Sequence, residues 1–490
     1  MKYKLIGLSV VTLTLIAIIL ISFMMPEDNG KRYHQHIEAE EKAVCTHTGE
    51  VLCSHLPIIK IDTYGKEIPG DVILSGPGGH TIDYTLSETG EETILSKVAV
   101  FDNKEKNNHI EDTPQILSDI RIRIRGNSSR HFEKKGYIIK LITDDGLNNP
   151  QSMMGMDSHH EWALHGPYLD KTLIRNYISY NLAGEIMGYA PNVRFCELVL
   201  NGEYQGLYLM TETITAGKEG ARLSLSVNKK DNSFSGYLLR LDRGSNTELK
   251  NINNFSKYTY KTENIVNIEY PGNANLTSEL ANGICDDFSE FEKALYSYDY
   301  DSSEHGYEKY IDVDSFVDYF LINEFTSNYD AGSKSTYIYK GVDGKLHMCV
   351  WDFNNAFDNY QENETSYRIF ALQDGLWYDM LFKDERFVER VIERYYELEK
   401  TYLNAEYMND YIDSVIEYLG PAIDRNFEKW GHTFNPEWDR LFDFHRNPHS
   451  YDEAVGQLKG YIKDRHEWMS ENIETLRQYS AESKVKNYNY

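Results

Sequence analysis

The chain has 490 residues, 13% of them aromatic, so it has enough apolar area to fold around a sizeable core and is not a disordered protein. Its 77 acidic and 50 basic side chains give a formal net charge of -27, which disfavours binding to nucleic acid or to an anionic membrane surface. A basic partner, or an anion held through a metal, fits this charge better, although solvation of an acidic surface explains most of it.

The N-terminal stretch 5–25 contains no charged residue and, as a helix, would be about 30 Å long, which matches the thickness of a bilayer core. Two lysines precede it, and no small-residue cleavage site follows it. The sequence therefore predicts a transmembrane anchor over 1–25, a polar stalk over 26–55, and a single-pass membrane protein whose body, 56–490, is extracytoplasmic.

Five cysteines are too few for a disulfide framework in a chain of this length, but two of them lie in a repeated pattern within the stalk. Cys45 is followed two residues later by His47, and Cys53 is followed in the same way by His55. Thiolate and imidazole are preferred zinc ligands, and a disulfide between the two cysteines is also compatible with the pattern. Zinc, a disulfide and free thiols are all open at this point.

Alternating apolar residues and turn sequences predict a β-rich N-terminal lobe over about 56–242. Its clearest strand is DIRIRIRG (119–126), in which Ile and Arg alternate so that three arginines share one side. The loop Gly126 to Ser129 follows, and the next strand carries Lys140. An amide-rich loop beside cationic side chains can hold an anion such as phosphate, although a solvated arginine face is the alternative.

The helical period appears next in the chain and then dominates its second half. A helix is predicted over 171–187, followed by a hairpin of 193–200 and 204–211. Beyond about 275, apolar residues recur every three or four positions, which predicts a mainly helical lobe over about 275–490. The predicted fold class is therefore α+β, with a β-rich N-terminal lobe and a mainly helical C-terminal lobe.

A short hairpin in the second lobe is predicted to bring two acids together. Residues 336–340 and 345–351 pair around a turn, with Asp330 just before the first strand and Asp352 just after the second. Neighbouring carboxylates repel unless a cation or a proton lies between them, and Mg²⁺ prefers carboxylate and phosphate oxygens. We expect Asp352 and Asn354 to bind Mg²⁺, and Asp330 to accept the proton of an attacking hydroxyl; a solvated turn is the alternative.

Five segments in this order resemble the CotH kinase family, the spore coat protein H group of atypical protein kinases. They are IRIRGNSSRHFEKKGYIIKL, WALHGPYLDKTLIRNYISYNLAGEIMG, LVLNGEYQGLYLMTETI, NYDAGSKSTYIYK and VWDFNNAFD, and they cover roughly 120 to 360. The resemblance implies a divergent, two-lobed kinase-like fold and the use of ATP with Mg²⁺ or Mn²⁺. It also implies phosphoryl transfer to Ser or Thr of a protein, typically a basic, Ser-rich protein of the spore coat.

By position, the resemblance makes Asp330 the catalytic aspartate and Asp352 the metal ligand, with Asn354 and Ser335 beside the metal. Ser335 stands where kinases usually have a metal-binding Asn, and Asn354 stands where the family commonly has an acid. A catalytically inactive surface scaffold that binds nucleotide or a cell-envelope component is therefore the alternative function. The residues that the resemblance assigns to the nucleotide are Arg125, Asn127, Ser128, Lys140, Glu185 and Glu212.

Overall fold

The computed structural model describes residues 32–40, 42–43, 45, 52–75, 81–215, 223, 225–243, 248–252, 254–255, 265–359, 364–435 and 446–481. The strands in the first part of the chain are β1 Cys53–Ser54, β2 Ile58–Asp62, β3 Val72–Ser75, β4 Thr81–Tyr84, β5 Ile94–Phe101, β6 Asn108–His109, β7 Ile116–Arg125, β8 Gly136–Ile142, β9 Glu161–His165, β10 Val193–Leu200 and β11 Glu203–Glu212. Later strands are β12 Val227–Asn228, β13 Ser233–Phe234, β14 Leu238–Asp242, β15 Asn251–Ile252, β16 Ile265–Tyr270, β17 Thr336–Lys340 and β18 Leu346–Cys349.

The helices lie mainly in the second half of the chain, where the sequence has its helical period. They are α1 Arg175–Ile186, α2 Ser278–Leu295, α3 Val313–Thr326, α4 Tyr378–Leu381, α5 Glu385–Glu399, α6 Ala405–Leu419, α7 Pro421–Trp430, α8 Tyr451–Asn472 and α9 Arg477–Ser480. The predicted α+β class, with a β-rich N-terminal part and a mainly helical C-terminal part, is confirmed.

Seven of the described strands close into a barrel in the order β10, β11, β9, β8, β7, β5, β2. The parallel pairing of β2 with β10 closes the barrel, and the other neighbours are antiparallel. In β7, Ile120, Ile122 and Ile124 are buried in the barrel core, so the arginines between them point outward. The Ile and Arg alternation therefore determines which side of this strand faces away from the barrel core.

A second sheet in the order β15, β16, β14, β17, β18 lies against the large core that the helices share. In this core α3 and α8 are joined by a salt bridge between Glu324 and Arg465, which are 2% and 1% exposed and 2.8 Å apart. Arg465 also donates to the main-chain oxygens of Tyr367 and Ile369. This buried network ties the last long helix to the loop in front of α4.

Helix α7 packs against strand β11 on the outside of the barrel and is hydrogen-bonded to it. The buried Lys134 side chain donates to the oxygen of Leu207 and to Oδ1 of Asn426, each at 2.7 Å. Gly206 has φ +104°, and a Cβ atom at this position would lie only 2.6 Å from Oδ1 of Asn426. The close contact between helix and strand therefore requires a glycine here.

Helix α1 begins later than the 171 that the apolar spacing predicts. The Asp170 carboxylate accepts hydrogen bonds from the backbone N–H groups of Thr172 and Arg175, and Leu173 has φ +68°. A left-handed residue interrupts helical geometry, so the regular turns start at Arg175.

The predicted localisation, a single-pass membrane protein with an extracytoplasmic body, is corrected by the helices of the structure. None of the helices in the described residues is both long enough and apolar enough to cross a membrane. The longest, α8, has 22 residues but carries charged side chains along its length. The apolar stretch 5–25, on which the prediction was based, lies outside the described residues.

Candidate functional site

A cavity of about 610 Å³ lies between the outer face of the barrel and the loops that flank β17 and β18. Its volume is in the range of ordinary small-molecule sites. The barrel side is lined by Arg123, Arg125, Gly126, Asn127, Ser128, Glu161 and His165. The opposite side is lined by Asp242, Asp330, Lys334, Ser335, Trp351, Asp352, Asn354 and Asn355.

The hairpin of β17 and β18 brings the two predicted acids to this cavity. Tyr337 pairs with Cys349 and Lys340 with Leu346, as the predicted turn requires. Residues 330 and 352 therefore flank the same end of the hairpin, and both line the cavity.

The loop that begins with Asp352 is held by helix α1. The backbone N–H of Asp352 donates to the Tyr180 hydroxyl at 3.0 Å, and that of Phe353 donates to Oδ1 of Asn176 at 3.1 Å. Asp352 itself has φ +59°, a left-handed conformation that Asp adopts more readily than most residues. These contacts fix the direction in which its carboxylate leaves the strand.

Electrostatic surroundings make Asp352 a strong candidate for binding a cation. Burial raises the pKa of its carboxyl to about 6; Arg125 opposes this shift and Asp330 adds to it. A half-buried carboxylate beside a second acid is stabilised in its ionised form by a divalent cation. The donor set is oxygen only, which suits Mg²⁺ or Mn²⁺.

Asp330 is oriented by neighbours on both of its oxygens. Its Oδ2 accepts a hydrogen bond from Nδ2 of Asn355 at 2.9 Å, and its Oδ1 lies 3.5 Å from Nζ of Lys334. Its side chain is 18% exposed, so the carboxylate is accessible from the cavity. A carboxylate that is oriented and reachable can accept a proton from a hydroxyl group.

Cationic side chains surround these acids, although the protein as a whole is strongly acidic. Arg123 and Arg125 line the cavity from β7, and neither forms a salt bridge with any residue that the structure describes. The Arg125 guanidinium lies 5.4 Å from the centre of the Trp351 ring. Guanidinium groups without a carboxylate partner are available to bind an anion such as a phosphate.

The side chain of Asn354 is hydrogen-bonded to helix α1. Its Oδ1 accepts a hydrogen bond from Nδ2 of Asn176 at 2.7 Å, and the same Nδ2 lies 3.2 Å from Nε2 of His165. Burial, with a smaller effect from Arg125, lowers the pKa of His165 to about 3, so the ring is neutral and its Nε2 accepts. The amide oxygen of Asn354 has only one lone pair left for a cation.

Seven of the ten residues predicted for the site line the cavity, and three do not. Lys140 is on the outer face of β8, paired in register with Glu161 but beyond the lining residues. Glu185 is in the last turns of α1, where its Oε2 accepts from the Tyr402 hydroxyl. Glu212 is buried at the end of β11 and accepts hydrogen bonds from Asn192. The seven lining residues are Arg125, Asn127, Ser128, Asp330, Ser335, Asp352 and Asn354.

Several lining residues have no counterpart among the predicted ones. His165 and Asp170 come from the segment WALHGPYLD, and Asn355 directly follows Asn354. Asp170 binds Arg175 at 2.6 Å, and Nε of Arg175 donates to the oxygen of Ala356. The sequence does contain a signal for these residues, because polar residues are concentrated directly after an apolar strand. Buried polar groups at the end of a strand need hydrogen-bond partners, so they often lie at a site.

Comparison with known proteins places the chain in a family. The family model described as CotH kinase protein matches residues 122–469, which include both acids of the hairpin. The chain belongs to the CotH kinase family. The resemblance drawn from the five segments is therefore confirmed.

Among curated proteins, this CotH family member is similar to inner spore coat protein H of Bacillus subtilis (strain 168). The two are 24% identical over 248 residues, which is 48% of this chain and 58% of the relative. The chain thus spans less than two thirds of the length of the curated relative that it matches. That relative is named as a protein of the inner spore coat, which is a further reason to correct the membrane localisation.

Proposed function

We propose that this chain is an ATP-dependent protein kinase with a divergent, two-lobed kinase-like fold. It would transfer the γ-phosphoryl group of ATP to a Ser or Thr hydroxyl of a protein. The observation that carries the proposal is the meeting of Asp330 and Asp352 with Arg123 and Arg125 in one cavity. The barrel would correspond to the first lobe, and the helical part with the hairpin to the second.

The residues present fit a divalent cation and a polyphosphate. Asp352 would hold the cation, because burial and the neighbouring carboxylate of Asp330 both disfavour its bare negative charge. Asn354 and Ser335 are the neighbouring oxygen donors. Arg123 and Arg125 would bind phosphate oxygens, and so would the exposed loop Gly126 to Ser129. When bound, the cation would neutralise charge on the phosphate oxygens.

Asp330 would orient the substrate hydroxyl and accept its proton. The hydrogen bond from Asn355 keeps one carboxylate oxygen directed along the loop, and Lys334 lies near the other. In phosphoryl transfer the protein acts mainly by positioning groups and by neutralising charge, so a small set of residues is sufficient.

A basic, Ser-rich protein is the substrate class that fits best. The formal net charge of -27 attracts a cationic polypeptide over long distances. The relative's name places that protein in the inner spore coat, which supports a coat or envelope protein as the substrate.

An inactive scaffold that binds nucleotide is the second candidate. The hydrogen bond from Asn176 to Asn354 and the short Ser335 side chain favour it, because both weaken the metal site. Nucleotide binding without transfer would then be the function of the cavity.

The test measures transfer of label from radioactive ATP to a basic, Ser-rich peptide by the full-length chain, with Mg²⁺ or Mn²⁺. Asp330→Asn removes the base and is expected to lower the rate about 10²- to 10⁴-fold. Asp352→Asn is expected to abolish the metal-dependent transfer. Asp343→Asn is the matched control, since Asp343 is at the opposite end of the same hairpin, and its rate should be unchanged.

Two results would contradict the kinase proposal. Transfer at the parent rate in Asp330→Asn or Asp352→Asn would remove these residues from the mechanism. Absence of transfer in the parent chain, with ATP still raising its melting temperature, would favour the scaffold.

A further inference from the structure

We propose that Cys45, Cys53 and His109 form a zinc-binding site, separate from the cavity. One ligand atom from each residue, two sulfurs and one imidazole nitrogen, lies within 4.8 Å of the other two. None of the three lines the cavity. Zinc bonds of about 2.0–2.3 Å in a tetrahedron place ligand atoms roughly 3.5–4 Å apart, so these atoms need to move only slightly.

Backbone pairing brings the three residues together. β1 and β6 form a two-stranded antiparallel sheet in which Cys53 lies directly opposite His109. The segment before Cys45 joins the same assembly, because Ala43 forms a parallel bridge with Lys106, and its N–H donates to Glu105. Cross-strand neighbours have Cβ atoms about 4.5–5.5 Å apart, which is a suitable distance for ligating one ion.

His109 is oriented as a metal-binding histidine. Its Nε2 lies 3.2 Å from Sγ of Cys45, and its Nδ1 lies 3.4 Å from the Asp112 carboxylate on the other side of the ring. The ring is largely buried, with 11% of the side chain exposed. A carboxylate behind a histidine fixes the tautomer and ring orientation that a metal needs, and raises the basicity of the ligating nitrogen.

The thiol of Cys53 also has surroundings that suit a metal-bound sulfur. Nδ2 of Asn107 donates a hydrogen bond to its Sγ at 3.3 Å. A hydrogen bond of this kind stabilises the negative charge of a metal-bound sulfur.

The geometry changes the ligand set that the two Cys-x-His patterns of the sequence suggest for zinc. His55 does not take part, because its Nε2 lies 2.6 Å from the oxygen of Tyr418, and His47 lies outside the described residues. The imidazole nitrogen of His109 lies beside both sulfurs, an arrangement that a shared ion requires and a disulfide does not. The pairing of Cys53 with His109 instead makes the imidazole part of the cluster.

The test is a titration of the reduced, metal-free full-length chain with Co²⁺, followed by Zn²⁺. We expect one Co²⁺ per chain with thiolate-to-cobalt charge-transfer absorption, and its loss when one equivalent of Zn²⁺ is added. Cys45→Ser and Cys53→Ser should each abolish the absorption. Asp112→Asn keeps all three ligands and should weaken Zn²⁺ binding about 10- to 100-fold.

Cys285→Ser is the matched control, because Cys285 is a partly buried free thiol on α2, outside the cluster. It should bind Co²⁺ as the parent chain does. Absence of charge-transfer absorption in the reduced parent chain would overturn the proposal. Absorption that persists in both cysteine variants would also overturn it. So would a disulfide between Cys45 and Cys53 in chain purified without reductant, if reduction then restores no Zn²⁺ binding.

Discussion

Asp352 combines a left-handed backbone, a half-buried carboxylate and a nearby second acid. Each of these is unfavourable in the absence of a ligand: the backbone conformation is strained, and the ionised carboxylate has lost part of its hydration. Strained backbone and carboxylates with shifted pKa values are concentrated at binding and catalytic sites. The stability of the metal-free protein should therefore improve when this charge is removed.

Asp352→Asn is expected to raise the free energy of unfolding of the metal-free protein by about 1–3 kcal/mol near pH 8. The pKa in the folded protein, about 6, is above the unfolded value of about 3.9. The penalty is therefore present above pH 6 and fades as the pH falls through 6 towards 4. Urea unfolding at several pH values measures the gain, which should be smallest at the acid end.

Asp343→Asn is the control for this effect, with the opposite sign. The backbone N–H of Lys345 and the ring of His347 lower the pKa of Asp343 against the effect of its partial burial. Its removal should destabilise the protein at neutral pH, and the loss should disappear on acidification. An Asp352→Asn gain that is independent of pH would contradict our interpretation of this carboxylate.

For single strands and helices, the sequence period correctly predicted on which side a side chain lies, but it did not predict which residues line the cavity. The alternation in β7 correctly separates buried isoleucines from outward arginines, and the hairpin correctly places Asp330 and Asp352 at one end. Lys140 is also on an outward face, but it is not among the residues that line the cavity, whereas its cross-strand partner Glu161 is. The register between strands decides this, and it depends on partners that are distant in the chain.

The closure of the barrel could not be predicted from the pattern of apolar and polar residues within single strands. It depends on the parallel pairing of Ile58–Asp62 with Val193–Leu200, between strands that are far apart in the chain and have no turn to connect them. The positions of His165 and Asp170 in the cavity follow from this closure and from the turn before α1. Sequence could identify these residues as polar but could not identify their neighbours.

The salt bridge between α3 and α8 provides a test of how much a buried ion pair contributes to the free energy of unfolding. Arg465→Met is expected to lower the free energy of unfolding by about 3–5 kcal/mol, because the buried carboxylate of Glu324 loses its charged partner. Chemical denaturation of the parent chain and the variant measures the change. The double variant Glu324→Gln with Arg465→Met should recover part of the loss.

Arg477→Met is the matched control, because Arg477 pairs with Glu389 in an exposed salt bridge. Water already solvates that pair, so little change is expected. Equal losses in Arg465→Met and Arg477→Met would show that burial does not determine the contribution of the α3–α8 pair.

The charge distribution of the whole molecule suggests separate regions for two kinds of ligand. The acidic surface suits a cationic polypeptide, whereas Arg123 and Arg125 inside the cavity suit the phosphates of a nucleotide. A protein substrate would be attracted over long distances, and the nucleotide would be bound by short-range contacts.

Arg125→Ala is expected to weaken ATP binding by about 1.5–3 kcal/mol, because it removes hydrogen bonds to a charged phosphate. Isothermal titration with ATP and Mg²⁺ measures the effect. Arg121→Ala is the matched control: Arg121 is on the same strand and the same face, but it does not line the cavity. Equal weakening by both variants would indicate general charge attraction and not a specific contact.

The attachment of α7 to the barrel has a consequence for how the cavity opens. Hinge rotation between lobes would have to separate Lys134 and Gly206 from Asn426. That separation would break the hydrogen bonds that the buried amide oxygen of Asn426 accepts from Lys134 and from the Leu207 N–H, and an unpaired buried amide costs about 1–3 kcal/mol. We therefore expect ligands to enter and leave past the exposed loop from Gly126 to Ser129, while the barrel and the helices move as one rigid body.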